Sequence, residues 1–357
     1  MNSYFRKDLI ELTPYTPGEQ PSGLQKIIKL NTNENPYPPS SKIKDSVLSI
    51  LESGNLRKYP HPTSDGLRDA IAKLYGIDRD EIIITNGSDE AIRLLFTACL
   101  EKGDSILSPD PTYSAYPVYA DITMQGIDHV QIPLLSNLLF DWEAMAKVKA
   151  KLCSFANPNA PTGILEPRES VLKFVQNFDG LVLCDEAYID FASDSTSVIQ
   201  EIQNYPNLLV SRTFSKSYSL AGLRVGFLCG NKELIALLHN LKDSYNVGML
   251  DQEIARIAIE DQDYFKSCCK KIIETREYLS KELDKLGFLV IESSTNFIFA
   301  KPNTSLSAFD YFNELKRRNI YIRYFAKGIA SEYIRITIGT LEETKILLDN
   351  IKEISLS

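Results

Sequence analysis

The sequence predicts a two-domain α/β protein, with a large open α/β domain followed by a smaller α+β one. Three observations predict it. Short apolar runs end on chemically capable residues, as Leu181–Cys184 does before Asp185 and Leu208-Leu209-Val210 before the Ser211–Lys216 segment. A strand, a glycine turn and an apolar helix follow one another between Ile82 and Leu100. After Gly287 the pattern changes to short strands around a single helix, and at 357 residues the chain exceeds the usual single-core size.

Residues 1–40 are rich in Pro, Gly and Asn, with no sustained periodicity before Leu24–Leu30, so they read as an arm draped over the rest. Ser41 caps a helix over 41–52, stopped by Gly54. The two prolines of Arg57–Pro62 force extended chain. A helix over 64–76 ends at Gly76; Ile82–Thr85 is a strand, Asn86-Gly87-Ser88 a turn, and Asp89–Leu100 a helix. Free amides at such a helix start face an anion, and the dipole favours it. Gly87 and Ser88 are therefore candidate phosphate contacts, while Asp89 and Glu90 serve equally as first-turn caps. Ser105–Ser108 is a short strand before Pro109-Asp110-Pro111-Thr112-Tyr113, and the strand ending at Ala156 runs into the turn cluster Asn157–Gly163. Helices follow over 231–243 and 251–283, the second broken near Asp261. The closing segment reads as strands Phe288–Ile291, Asn296–Ala300, Tyr321–Tyr324 and Ile334–Ile338, with a helix from Ser307 to Arg318. The domains expected are 1–40 as arm and part of the small domain, 41–262 as the large domain and 263–357 as the small one.

Lys216 falls just past a strand's carboxyl end, where open α/β sheets place ligands. Thr213, Ser215 and Arg224 bring hydroxyls and a guanidinium, the groups a phosphate monoester needs, and an amine beside them can condense with an aldehyde. Pyridoxal phosphate carries both groups. Asp185 would hold a pyridinium nitrogen protonated, and Tyr188 would donate to the ring's phenolic oxygen. Taken singly, these are also a surface loop with an incidental lysine and a solvated Asp-Glu pair; together they favour the cofactor.

On Thr13-Pro14-Tyr15, Leu30–Pro36, Tyr59-Pro60, Asp185-Glu186-Ala187-Tyr188, the Lys216 segment and Tyr333–Thr340, the chain resembles the fold type I pyridoxal-phosphate aminotransferases, and among them the histidinol-phosphate aminotransferase family. The resemblance implies a large α/β/α domain with a mostly parallel sheet, and a homodimer with shared active sites. It implies catalytic roles for Lys216, Asp185 and Tyr188. Cofactor contacts would come from Gly87, Ser88, Asp89, Thr213, Ser215 and Arg224, with Tyr113 flat on the ring and Tyr59 reaching the neighbour's phosphate. Tyr15, Asn33, Arg323 and Arg335 would meet the substrate, the two arginines at its anionic end. The residues alone equally allow Tyr15 and Tyr113 as packing aromatics, Tyr59 as a surface residue and Arg323 as a strand-edge ion pair. One position departs from the family pattern: Ala160 stands where an Asn usually donates to the phenolic oxygen, which leaves Asn157 or Asn159 as the substitute.

The implied reaction is transamination of L-histidinol phosphate with 2-oxoglutarate, giving imidazole acetol phosphate and L-glutamate. An aromatic aminotransferase or a threonine-phosphate decarboxylase would reuse Asp185, Lys216 and Arg335. A transcription regulator on this fold would carry a winged-helix domain ahead of the arm, and the chain as read begins on the arm.

Composition narrows the classes further. A net charge of −8 and a pI near 5.2 argue against nucleic-acid and anionic-membrane partners. No apolar run approaches the ~20 residues of a membrane span, and Met1–Asp8 lacks a signal peptide's apolar core. Six cysteines without C-x-x-C spacing suit reduced thiols and a cytoplasmic location. Three widely separated histidines make a metal centre unexpected, and the lack of G-x-G-x-x-G leaves a dinucleotide fold unsupported.

Overall fold

The computed structural model describes residues 4, 12, 14–21, 27–123, 126–192 and 196–356. Thr13 of the arm motif and the apolar spacing that starts at Leu24 lie outside the described residues. A two-residue strand, β1 (Ile28–Lys29), comes first. The next seven strands, β2 (Ile82–Thr85), β3 (Ser105–Asp110), β4 (Asp128–Pro133), β5 (Leu152–Ala156), β6 (Leu181–Asp185), β7 (Leu208–Thr213) and β8 (Gly226–Cys229), form one sheet of order β2-β8-β7-β6-β5-β3-β4. Every neighbouring pair is parallel except the two that β8 makes.

Helices α1 (Ile43–Glu52), α2 (Asp65–Tyr75), α3 (Gly87–Cys99), α4 (Ala115–Thr123), α5 (Trp142–Met145), α6 (Arg168–Asn177), α7 (Lys232–Leu241) and α8 (Met249–Glu260) cover both faces of this sheet. The period-two alternation of a strand sorts the side chains between two cores. Ile83, Leu152, Leu183, Leu209 and Leu228 pack with Ile92 and Phe96 of α3, Tyr116 of α4 and Leu238 of α7. Ile82, Cys153, Val182, Cys184 and Val210 pack the other way, with Ile71 of α2, Val171 of α6 and Ala255 of α8. Each fully buried aliphatic side chain contributes about 1.5–3 kcal/mol.

The break expected near Asp261 separates α8 from α9 (Gln262–Lys285). The Asp261 carboxylate accepts from Ser40 Oγ at 2.5 Å and Lys42 Nζ at 2.6 Å, tying the helix junction to the start of α1. Beyond it, β9 (Phe288–Ile291), β10 (Phe297–Pro302), β12 (Arg323–Tyr324) and β13 (Ile334–Thr337) make an antiparallel sheet, while β11 (Ile320–Tyr321) pairs in parallel with β1. The single strand expected over Tyr321–Tyr324 is thus two, parted at Ile322, which is buried. α10 (Ala308–Arg317) and α11 (Leu341–Leu356) close a third core that also takes Ile28 and Leu30 from the start of the chain. No helix among the described residues is long and apolar enough to cross a membrane.

Register brings the carboxyl ends of the large sheet level. Ala156 pairs with Asp185, Asp185 with Ser211, Thr213 with Gly226, and Gly226 with Thr85. Every functional residue past those ends therefore starts from the same edge.

Candidate active site

A cavity of about 280 Å³ opens at that edge, walled on its other side by the arm and the small antiparallel sheet. From the large sheet it is lined by Asp185, Tyr188, Thr213, Ser215, Lys216 and Arg224, and from the α3 end by Ser88 and Asp89. Lys216 Nζ donates to the Thr32 carbonyl at 3.1 Å and lies 5.8 Å from the centre of the Tyr188 ring. Burial lowers this amine to about 8, helped by the charges of Arg335 and Arg224 and opposed by Glu34. Asn35 fixes the lysine's backbone from behind, its Nδ2 donating to the carbonyls of Lys216 and Ser217 at 3.1 Å each.

Asp185 is only 4 % exposed. Burial raises its carboxyl to about 6, with Asp89 adding to the shift and the Ala187 amide and Tyr116 hydroxyl offsetting part of it. That amide donates to Oδ1 at 3.2 Å and the hydroxyl to Oδ2 at 3.4 Å. Among the described residues no basic side chain pairs with Asp185, so the carboxylate awaits a cation. Tyr188 is half-buried, desolvation pushes its hydroxyl up and keeps it protonated, and it accepts from Asn33 Nδ2 at 2.9 Å.

The phosphate-binding groups cluster beside α3. Arg224 donates through Nη1 to Ser215 Oγ at 3.1 Å and through Nη2 to Asp89 Oδ2 at 3.1 Å. Asp89 Oδ1 accepts from the Tyr113 hydroxyl at 3.0 Å. Two glycines allow this closeness. Gly87, the first residue of α3, has φ of 75° and a Cβ there would stand 2.8 Å from Arg224 Nη2; a Cβ on Gly226 would stand 2.6 Å from the Ser88 amide nitrogen. The helix thus starts inside the expected turn, which leaves the first-turn amides of Ser88 and Asp89 without helical partners.

The opposite wall holds two guanidiniums. Arg335 is 5.1 Å from the Phe297 ring centre and 5.5 Å from that of Phe325, and its Nη2 donates to the Asn31 carbonyl at 3.0 Å. Its Nε is buried without a hydrogen-bond partner among the described residues. Arg323 donates through Nη1 to Pro17 O at 3.3 Å and through Nη2 to Thr16 O at 3.1 Å, so the arm's carbonyls already engage it. Tyr15 sits edge-on to Tyr113 at 6.1 Å. Asn33, with φ of 57°, is almost fully buried and exchanges hydrogen bonds with Thr337 Oγ1, its amide donating and its Oδ1 accepting, both at 3.0 Å.

Not every expected residue reaches the cavity. Ala160 lines it, but Asn157 and Asn159 do not. The Asn157 Nδ2 donates to Glu166 O at 3.3 Å, and the Asn159 Nδ2 to Pro111 O at 3.0 Å and Thr162 Oγ1 at 3.2 Å. A buried turn has backbone groups that need partners, and these amides supply them instead of facing a ligand. Tyr59 is also away from this cavity; it is 78 % exposed and stacks on Tyr245 at 4.4 Å. Sequence reasoning missed the contributions of Asn31, Thr32 and Asn35. The recurrence of asparagine at positions 31, 33 and 35 was the available signal, since asparagine tolerates the left-handed backbone seen at Asn33 and its amide pairs with backbone groups.

The donor set fits pyridoxal phosphate: an amine of lowered basicity, a phosphate cradle that a Cβ at Gly87 would fill, and a buried carboxylate lacking a cation. Comparison with known proteins points the same way. Residues 25–351 match the family model described as aminotransferase class I and II. The chain is 42 % identical to histidinol-phosphate aminotransferase of Clostridium botulinum (strain Kyoto / Type A2), over 99 % of both chains. It is 44 % identical to histidinol-phosphate aminotransferase 1 of Hydrogenovibrio crunogenus, over 96 % of this chain and 95 % of that one. Among solved structures, histidinol-phosphate aminotransferase from Sinorhizobium meliloti in complex with pyridoxal-5'-phosphate superposes with a TM-score of 0.90 at 24 % identity, covering 100 % of this chain and 99 % of that one. L-threonine-O-3-phosphate decarboxylase from Porphyromonas gingivalis superposes at 0.78 with 20 % identity, covering 93 % of this chain and 100 % of that one, so the fold alone does not choose the reaction.

Proposed function

The chain belongs to the class I and II aminotransferases, and from that premise we propose that it transfers the amino group of L-histidinol phosphate to 2-oxoglutarate, using pyridoxal phosphate. One observation carries the choice of an anionic substrate. Two guanidiniums, Arg323 and Arg335, line the cavity in addition to Arg224, which sits with the phosphate-binding hydroxyls. The names of the full-length relatives support the particular substrate.

Pyridoxal phosphate supplies an aldehyde and a ring that takes up the electrons of the breaking Cα–H bond. Thr213, Ser215, Arg224 and the amides of Ser88 and Asp89 would hold its phosphate, with Tyr113 beside its ring. Asp185 would hold the ring nitrogen protonated, and Tyr188 would donate to the phenolic oxygen. Lys216, whose amine burial brings down to about 8, would take the proton from the substrate carbon and hold it for return, as a general acid–base group. The Arg335 fork holds the substrate's anionic end, while Tyr15 and the arm exclude water. Residues 41–262 form the cofactor domain, and 263–357 with the arm form the substrate domain. Tyr59, exposed and backed by Tyr245, serves the neighbouring subunit of a homodimer. Six free cysteines accord with a cytoplasmic enzyme.

The test compares initial rates with histidinol phosphate, phenylalanine and threonine phosphate in the presence of 2-oxoglutarate. Histidinol phosphate is expected to have the highest kcat/KM. A higher value for phenylalanine, or carbon dioxide release from threonine phosphate, would overturn the assignment.

A further inference from the structure

The arm segment around Gly18 is seated by contacts that lead directly to both arginines. Asn31 is buried, its Nδ2 donating to Glu19 O at 2.8 Å while its own carbonyl accepts from Arg335 Nη2 at 3.0 Å. Gly18 lies against Thr32, and a Cβ at Gly18 would overlap the Thr32 Cγ2 methyl. The Thr32 carbonyl is the acceptor of Lys216 Nζ. One and two residues before Gly18, the carbonyls of Pro17 and Thr16 engage Arg323. The exposed Lys316–Glu19 pair at 2.6 Å adds little to this seat.

We propose that Gly18 and Asn31 are positioning residues that set the affinity for the anionic substrate, by seating the arm across Arg323 and Arg335. The arm and the anion share both guanidiniums. An anion drawn to Arg323 meets a fork already oriented by Thr16 and Pro17, and one drawn to Arg335 meets a fork oriented by Asn31. Seating and anion binding are then coupled, and coupling in binding is reciprocal. Loosening the arm weakens the anion's hold, and the anion in turn steadies the arm. Neither residue touches the groups assigned to the cofactor's phosphate or ring, and Gly18 reaches Lys216 only through Thr32, whose carbonyl accepts from Nζ. The inference rests on the anionic-substrate reading above.

The experiment measures Gly18→Ala in the wild-type and Thr32→Ser backgrounds, because serine removes the methyl that the new Cβ would strike while keeping the backbone. In the wild-type background KM for histidinol phosphate should rise about 3- to 10-fold, the size of one or two lost hydrogen bonds. Relative to its own background, kcat and the cofactor's visible absorbance should stay within about twofold. In the Thr32→Ser background the rise in KM should fall below about twofold. Asn31→Ala should raise KM by a similar factor, and combining it with Gly18→Ala should add little. Hydrogen exchange over residues 14–21, with and without inorganic phosphate, provides the second readout. Phosphate should slow exchange in the wild type and do so less in Gly18→Ala. An unchanged KM, an equal loss in both backgrounds, or exchange indifferent to phosphate would overturn the coupling. If histidinol phosphate were not turned over at all, the exchange measurement would still decide it, since that readout needs only an anion.

Discussion

The sheet wall of the cavity and the arm wall differ in what fixes their functional atoms. On the sheet wall, Asp185 and the residues leading into Lys216 leave adjacent parallel strands that are buried on both faces and locked in register. On the arm wall, Arg323 and Arg335 take their directions from carbonyls of Thr16, Pro17 and Asn31, some 300 residues away in sequence. Register is enforced by the whole core, since a slip of one residue would turn every apolar side chain to the wrong face. Carbonyl seating rests on a few hydrogen bonds, each contributing about 0.5–1.5 kcal/mol, or 1.5–3 where charge is involved. The sheet wall suits chemistry that must not move. The arm wall suits a ligand that must enter and leave.

If that division holds, damage to the sheet wall should appear in kcat and damage to the arm wall in KM. The largest loss is expected for Asp185→Ala. A buried charged pair broken from one side typically loses about 3–5 kcal/mol, so turnover should fall by about 10²- to 10⁴-fold while cofactor still binds. Steady-state rates alongside cofactor titration check this, and near-normal turnover would remove Asp185 from the chemistry. Next comes Arg335→Ala, which should raise KM for histidinol phosphate about 10- to 100-fold with kcat changed only a few-fold. A loss confined to kcat would break the comparison.

The lysine itself gives a pH signature. Burial disfavours the charged ammonium, so its titration is lowered to about 8, and only the neutral amine attacks an aldehyde. The rate at which cofactor-free protein captures pyridoxal phosphate at Lys216 should therefore rise with pH and level off above about 8, being about tenfold lower at pH 7 than on the plateau. Borohydride trapping and peptide mapping across pH would show it; a rate still climbing past pH 10 would mean the amine is not shielded. The smallest effect concerns Tyr59→Phe, expected to weaken cofactor affinity about 3- to 10-fold. Mixing it with Lys216→Ala subunits should restore activity through hybrid dimers with one native site. No recovery after confirmed subunit exchange would confine each site to a single chain.

The same contrast governs what was legible in the sequence. Asp185 and Lys216 could be read because an apolar run ending on a charged residue records a strand end, and strand ends are local. The arm wall was not local. That Arg323 grips Pro17, or that Asn31 bridges Glu19 and Arg335, depends on segments meeting across two cores, and no spacing in the chain encodes it. Side-chain direction inside the Asn157–Gly163 turn was equally hidden. Asn157 and Asn159 have the right chemistry for a ligand, but the backbone carbonyls of Glu166 and Pro111 claimed their side-chain amides first. The buried Arg212, held by Glu186 and Asp190 at 2.8 Å each, sat inside a motif that was read only for its neighbours.

The level strand ends carry an evolutionary consequence. Because β5 and β6 end on paired residues and β7 runs two residues further, deleting a single residue within Leu181–Cys184 would draw the Asp185 carboxylate back by about 3.3 Å and invert the facing of the strand. Insertions and deletions are thus barred from the short strands, where only substitutions can be tried. The arm ahead of β1 has no strand register to keep, unlike Ile28–Lys29, which pair with β11. Length changes over residues 14–21 alter which molecules are admitted without shifting the strand ends, so a lineage built on this frame can acquire new substrates by lengthening, shortening or rewriting that segment.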